Sequence, residues 1–268
     1  VLSPSGGGKT VLFETILSQL EQPYEEKVGF DLVRRVPYFK SSIPTTATPA
    51  TMAQQLYSSM GLGTSNKAGI EQRIKAALQQ AKTNALFYDE LHNVVINRPT
   101  AYRMAQARGW IRDLISTTRV MVVAFGTPEC KDYFLADAQF HKRFPWVIEL
   151  KPFKFDLDPR SEYCSVVKAF ERQLLKYKDL FEFIEPRLNE KFLISLYAST
   201  GGSINGIKAF YVAVMRLAFQ TDHIFNTEKF SLIADEISLE DVIVRNGFDE
   251  DREICLNKIA NRQMNRFV

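Results

Sequence analysis

The octet Ser3-Pro4-Ser5-Gly6-Gly7-Gly8-Lys9-Thr10 limits what this chain can fold into more than any other stretch. It follows the spacing G-x-x-x-x-G-K-[ST], with Ser3 standing where the pattern has its first glycine. Glycines in such a loop let backbone N–H groups turn inward onto phosphate oxygens, because no side chain blocks the approach. Lys9 is expected to reach the β- and γ-phosphates of a nucleotide, and the Thr10 hydroxyl to ligate Mg2+. Val11, Leu12, Ile16, Leu17 and Leu20 recur at helical spacing. A helix should therefore open at the loop and add its N-terminal dipole to phosphate binding. Ser5, Gly6, Gly7, Gly8, Lys9, Thr10 and Val11 are the candidate nucleotide contacts. Val1-Leu2 reads as the end of the strand that precedes such a loop, with further residues expected ahead of it.

A second motif lies downstream. The apolar run Ala85-Leu86-Phe87-Tyr88 closes on Asp89-Glu90. Strands buried on both faces of a parallel sheet read in this way. After a phosphate loop, such a run ending in Asp-Glu assigns Asp89 to Mg2+, held through water, and Glu90 to polarising the attacking water. Taken alone, the run is equally well a strand that ends in a solvated acidic turn; Lys9-Thr10 upstream decides between the two.

Around these motifs the pattern alternates. Strands are expected at 36–42, 85–88, 120–125 and 147–150, and helices at 51–60, 70–81, 101–116 and from Pro128. Beyond Pro152 only helical patterns follow, at 162–177, 189–199, 204–219, near Ser238 and at 249–266. The expected division is an α/β nucleotide-binding domain over 1–152 and a helical lid with a helical tail over 153–268.

Composition narrows the class. At 268 residues, 46% hydrophobic and 24% charged, the chain has the make-up of a soluble globular protein. No run approaches the ~20 apolar residues of a membrane span, and no signal-peptide pattern opens it. Cys130, Cys164 and Cys255 lack metal-ligand spacing and read as reduced cytosolic thiols; His92, His141 and His223 lie too far apart for a zinc site. A net charge of +3 does not demand a polyanionic partner. Residues 93–119, however, carry five arginines (98, 103, 108, 112, 119) against the single acid Asp113. That run is either a DNA-facing surface or a solvated helix face.

The order of motifs resembles an AAA+ ATPase, and more narrowly the TniB/TnsC-type transposition regulators, relatives of the phage MuB protein. The resemblance is carried by SPSGGGKT (3–10), VPYFKSSIPTTATPATM (36–52), ALFYDELHNV (85–94), VMVVAFGTPEC (120–130), DAQFHKRF (137–144) and STGGSINGIKAF (199–210). It implies a P-loop AAA+ core, a parallel sheet flanked by helices, followed by a small all-helical lid. Thr127 then takes the sensor 1 place beside the γ-phosphate, unless it simply caps the next helix. Arg143 takes the place of an arginine finger acting on a neighbouring subunit, with Lys142 as the fallback and a plain surface arginine as the alternative. The lid has no arginine at the sensor 2 position, so any such role passes to Lys208. The family implies ATP-dependent binding of duplex DNA with little sequence preference, through Arg98, Thr100, Arg103, Thr118 and Arg119. It further implies assembly into a helical oligomer or ring, recruitment of a transposase, placement by a TniQ-type target-selection protein, and disassembly on slow ATP hydrolysis in a bacterial cytoplasm. Other readings of the same core stay open: an initiator- or loader-like ATPase, a secretion-associated one, or a nucleotide-gated scaffold with little turnover.

Overall fold

Three parallel strands, two of them short apolar runs and the third the mixed Tyr38–Ser42, frame the first half of the chain. The computed structural model describes residues 1–4, 6–63, 69–96, 100–183 and 189–266, with residues 265 and 266 described by backbone alone. The chain forms two compact units, Val1–Leu150 and Lys151–Val268.

The first unit opens with α1 (Lys9–Gln19). An antiparallel hairpin follows, β1 (Tyr24–Val28) with β2 (Asp31–Arg35), which the pattern did not reveal. Its side chains are nearly all exposed, so neither strand alternates apolar with polar, and Phe30 projects fully from the turn. Next come β3 (Tyr38–Ser42), α2 (Pro49–Ser59) and α3 (Ile70–Gln80). The Thr48 and Thr51 side chains close a reciprocal cap on α2, which therefore starts two residues earlier than its apolar pattern. The unit continues through β4 (Ala85–Asp89), a 3-10 helix at Leu91–Val94, α4 (Ala101–Thr118), β5 (Met121–Ala124), α5 (Cys130–Leu135) and α6 (Ala138–His141).

The sheet runs β3-β4-β5, parallel, with Phe39 beside Leu86 and Leu86 beside Val122. Leu2 extends it by parallel bridges to Gly126 on one side and Glu149 on the other. The expected strand at 147–150 is thus reduced to one bridge and two backbone bonds, Leu2 N–H to Ile148 O at 2.7 Å and Leu150 N–H to Leu2 O at 2.8 Å. The spatial order β3, β4, β5, Leu2, Glu149 puts the first segment of the chain between two later ones. The crevice at such a reversal, beyond the carboxyl ends of the strands, is where open α/β sheets bind ligands.

One correction concerns α1. Val11, expected on its apolar face, is 67% exposed; Phe13 carries the packing instead, its ring 5.6 Å from Phe87 and 5.0 Å from Phe125. On the sheet's other face α4 buries Ala107, Trp110, Ile111 and Leu114, with Trp110 edge-on to Tyr88.

The second unit packs α7 (Glu162–Leu174), α8 (Glu190–Thr200), α9 (Ile204–Gln220), α10 (Thr227–Glu236) and α11 (Arg252–Arg266) around Phe192, Tyr197, Phe210, Phe225 and Phe230. It is helical apart from a two-residue parallel pair, β6 (Glu182–Phe183) with β7 (Ile224–Phe225). The expected short helix near Ser238 does not form. Its residues lie between α10 and a turn tied to α8, where Ile243 and Val244 N–H donate to Ala198 O and Gly247 N–H to Ser199 Oγ. Among the described residues no helix is long and apolar enough to cross a membrane, and all three cysteines are free and buried.

Candidate nucleotide site

Everything at this site hangs on where Leu2 ends. Once it bridges Gly126, the chain must turn over the ends of β4 and β5 before α1 can start. Gly6 and Gly8 take positive φ (73° and 88°) to make that turn, and Gly8 forms the N-cap of α1. Gly7 is required for space. A Cβ there would lie 1.9 Å from Ser3 Oγ and 3.1 Å from Pro4 O. Ser3, at the motif's departure from glycine, is fully buried, and its N–H donates to Gly126 O at 3.0 Å. Its hydroxyl fills the space beneath Gly7. Ser5 lies outside the described residues.

Lys9 bends back over the loop, its Nζ donating to Ser3 O at 2.8 Å and Pro4 O at 2.9 Å. Burial lowers its pKa; the charges of Glu90 and then Asp89 oppose that shift, with Glu129 further behind. The ammonium is therefore within electrostatic reach of the carboxylates at the end of β4. Thr10 and Val11 are exposed in the first turn of α1.

At the strand end, Asp89 Oδ1 accepts from the Glu90 N–H at 2.8 Å, while Ile43 N–H donates to Asp89 O. Glu90 adopts φ 57°, a left-handed conformation unusual for a residue with a side chain. It lets the chain leave β4 directly into the 3-10 helix, where Leu91 N–H donates to Phe125 O at 2.9 Å. Two residues on, His92 Nε2 lies 2.8 Å from Glu90 Oε2. Neither this contact nor the nearness of Glu129 follows from spacing alone; the order Asp89-Glu90-Leu91-His92 is the one sequence signal that could have pointed to His92.

Thr127 follows β5 and Gly126. Its backbone O accepts from Cys130 N–H, so its carbonyl and not its hydroxyl starts α5. The buried hydroxyl caps no backbone group; it approaches the Glu129 carboxylate without reaching full hydrogen-bond geometry, and is the first cause holding that carboxyl below its usual range. Burial pushes the neighbouring Cys130 thiol up to about 11, which keeps it protonated and inert at neutral pH.

The oxygen donors here suit Mg2+. A hydroxyl (Thr10) and a carboxylate (Asp89) are hard ligands of the kind this ion takes alongside phosphate oxygens and water. When bound, the ion would neutralise charge between the β- and γ-phosphates. Among the described residues no three His, Cys, Asp or Glu side chains cluster into a protein-only metal cage.

The remaining candidates lie elsewhere. Lys142 and Arg143 are exposed beside an aromatic cluster of Phe134, Phe140 and Phe144, and Arg143 Nη2 donates to Ser116 Oγ at 2.9 Å. Lys208 is exposed on α9 of the second unit. Of the basic segment, Arg98 lies outside the described residues. Thr100 caps α4 by accepting from Arg103 N–H, and Arg103 is exposed. Thr118 and Arg119 close the same helix, Thr118 Oγ1 donating to Leu114 O. At 1.5 Å per residue Arg103 and Arg119 are about 24 Å apart. Arg108 stacks over Tyr133, 5.0 Å from its ring centre, and Arg112 reaches Gln139 and Asp137.

Comparison with known proteins agrees with this architecture. The structure resembles that of Cdc6p from Pyrobaculum aerophilum, with a TM-score of 0.53 at 14% identity, over 88% of this chain and 59% of that one. The chain thus spans less than two thirds of that protein's length, and the likeness is one of fold. No curated protein matches the chain. The family model for the bacterial TniB protein matches residues 1–155, more than half of the length. With its P-loop, its parallel sheet flanked by helices and this match, the chain belongs to the bacterial TniB family and has the AAA+ fold.

Proposed function

We propose that this chain is an ATP-dependent DNA-binding regulator of transposition, which assembles on duplex DNA with ATP bound and disassembles when the ATP is hydrolysed. The observation that carries the enzymatic half is that the loop bearing Lys9 and the turn that follows Asp89 and Glu90 are both bonded to the end of β5, through Ser3 N–H on Gly126 O and Leu91 N–H on Phe125 O. A cation for the β- and γ-phosphates, a carboxylate for Mg2+ and a second carboxylate for water are what phosphoryl transfer to water requires. Thr127 would sense the γ-phosphate, and Arg143 would complete a neighbour's site. The DNA half rests on exposed Arg103 and Arg119 with the hydroxyl of Thr100, all donors suited to phosphate oxygens; Thr118, whose hydroxyl is bonded to Leu114 O, would have to exchange that bond to join them. Membership of the TniB family supports the link to transposition, with a transposase and a TniQ-type target-selection protein as partners.

Electron microscopy with duplex DNA and a non-hydrolysable ATP analogue tests this reading. The parent chain should form filaments or rings on DNA. Lys9→Ala should remain dispersed, and Glu90→Gln should build assemblies with ATP itself that persist. Dispersed parent monomers under saturating analogue would sink the proposal.

A further inference from the structure

We infer that His92 is a positioning residue for Glu90: its imidazole holds the Glu90 carboxylate toward the phosphate loop in the pose that activates water. The inference rests on the hydrolytic reading above and adds to it the group that sets Glu90's orientation.

Glu90 cannot orient itself. It stands at the end of β4, about half exposed, on a left-handed backbone, and a glutamate has three rotatable side-chain bonds. Its own main chain is already committed, since its N–H donates to Asp89 Oδ1. What fixes the carboxylate is His92 Nε2, 2.8 Å from Oε2. An ionised carboxylate has no proton to give, so the imidazole N–H is the donor. In that pose Glu90 is the charge that most strongly offsets the burial of Lys9, ahead of Asp89. The pair also lies beside the phosphate loop: Lys9 Nζ is bonded to Ser3 O, Ser3 N–H to Gly126 O, and a Cβ on Gly126 would come within 3.5 Å of His92 N.

His92 is itself rigidly placed. The 3-10 helix that carries it starts with Leu91 N–H on Phe125 O, and Asn93 Nδ2 donates to Ile43 O, tying the turn to the ends of β5 and β3. Gly126 lets this turn lie close: a Cβ there would meet Leu91 Cβ at 3.2 Å and His92 N at 3.5 Å. His92 thus bonds Glu90 through its side chain while its backbone lies against Gly126, the residue before Thr127. Stability gives no reason for a histidine here, because its Nδ1 is buried without a partner among the described residues. Such a nitrogen is a cost that an aliphatic side chain would avoid.

The test is a kcat and KM comparison with duplex DNA present, together with the affinity for a fluorescent ATP analogue. The variants are His92→Leu, His92→Gln and Glu90→Gln, with the double variant Glu90→Gln/His92→Leu. His92→Leu should lower kcat by about tenfold or more, the scale of a misplaced catalytic group, while analogue affinity stays within about twofold. His92→Gln should recover most of the rate, because its amide N–H falls near the place of Nε2. In the Glu90→Gln background His92→Leu should change the rate by less than about twofold, since the two act as a unit. Parent-like kcat in His92→Leu, analogue affinity falling as far as kcat, or a Gln variant no better than Leu would each overturn the inference. A parent that binds the analogue yet shows no turnover would instead overturn the hydrolytic reading, and this inference with it.

Discussion

Ser3 and Gly7 are one structural decision made at two positions. A glycine at position 3 would leave a void beneath the loop; the serine fills it, and its hydroxyl stands where a Cβ on Gly7 would go, 1.9 Å away. Gly7→Ala should therefore deform the loop and cut affinity for a fluorescent ATP analogue at least tenfold. Adding Ser3→Gly should return a large part of it, because only the 3.1 Å approach to Pro4 O would remain. Ser3→Gly alone should bind within a few-fold of the parent. Gly7→Ala with parent affinity would show that the loop opens on binding and the serine contact is incidental. At this scale the candidates Lys9, Asp89 and Glu90 could be picked out in the sequence because phosphate, metal and water chemistry would need such groups at such spacing. His92 and Glu129 were not legible as site neighbours. Their nearness depends on a 3-10 turn and on the bridging of Leu2 to Gly126, both decided by contacts distant in sequence.

At the scale of the element, α4 separates what five arginines in one run had left merged. Arg108 on Tyr133 and Arg112 on Gln139 and Asp137 hold the helix to the 130–140 segment, which leaves Arg103 and Arg119, unpaired among the described residues, as the proposed phosphate contacts. Arg103→Ala should weaken duplex DNA binding for all sequences alike and lower the slope of log affinity against log salt by roughly one. Arg108→Ala should leave that slope unchanged and instead lower the melting temperature, as one buried stacking contact of about 1 kcal/mol is lost. Equal slopes for Arg103→Ala and the parent, with assembly intact, would return the helix to the status of a solvated face. Helices with a strong apolar stripe were readable within two or three residues. The ones misread had local signals that tertiary contacts overrode. Ser238-Leu239-Glu240-Asp241 carries a cap pattern, but Ile243, Val244 and Gly247 are claimed by the backbone and Ser199 hydroxyl of α8. The cap is instead used at Asn226, whose side chain accepts from Lys229 N–H to open α10.

At the scale of the molecule, the position of Arg143 bears on whether one chain suffices. Because β4 and β5 are parallel, α4 must run back against them, so its last turn lies at the edge where the strands begin. Arg143 is bonded to Ser116 in that last turn, whereas Lys9 and Glu90 stand where the strands end, across four residues of sheet or about 13 Å. A guanidinium anchored there serves a phosphate site only if that site belongs to another copy. Mixing Arg143→Ala with Lys9→Ala protein should then regenerate mixed sites, with an intact Lys9 from one chain and an intact Arg143 from the other. ATPase activity in the mixture should rise above the sum of the separate variants, by up to about a quarter of the parent rate if subunits shuffle freely and the finger is worth the usual thousandfold or more. The mixture must first be shown to co-assemble on DNA. Given that, strict additivity would mean that the site is completed within one chain, and Lys142→Ala in the same cycle would show whether the neighbouring lysine carries the role instead.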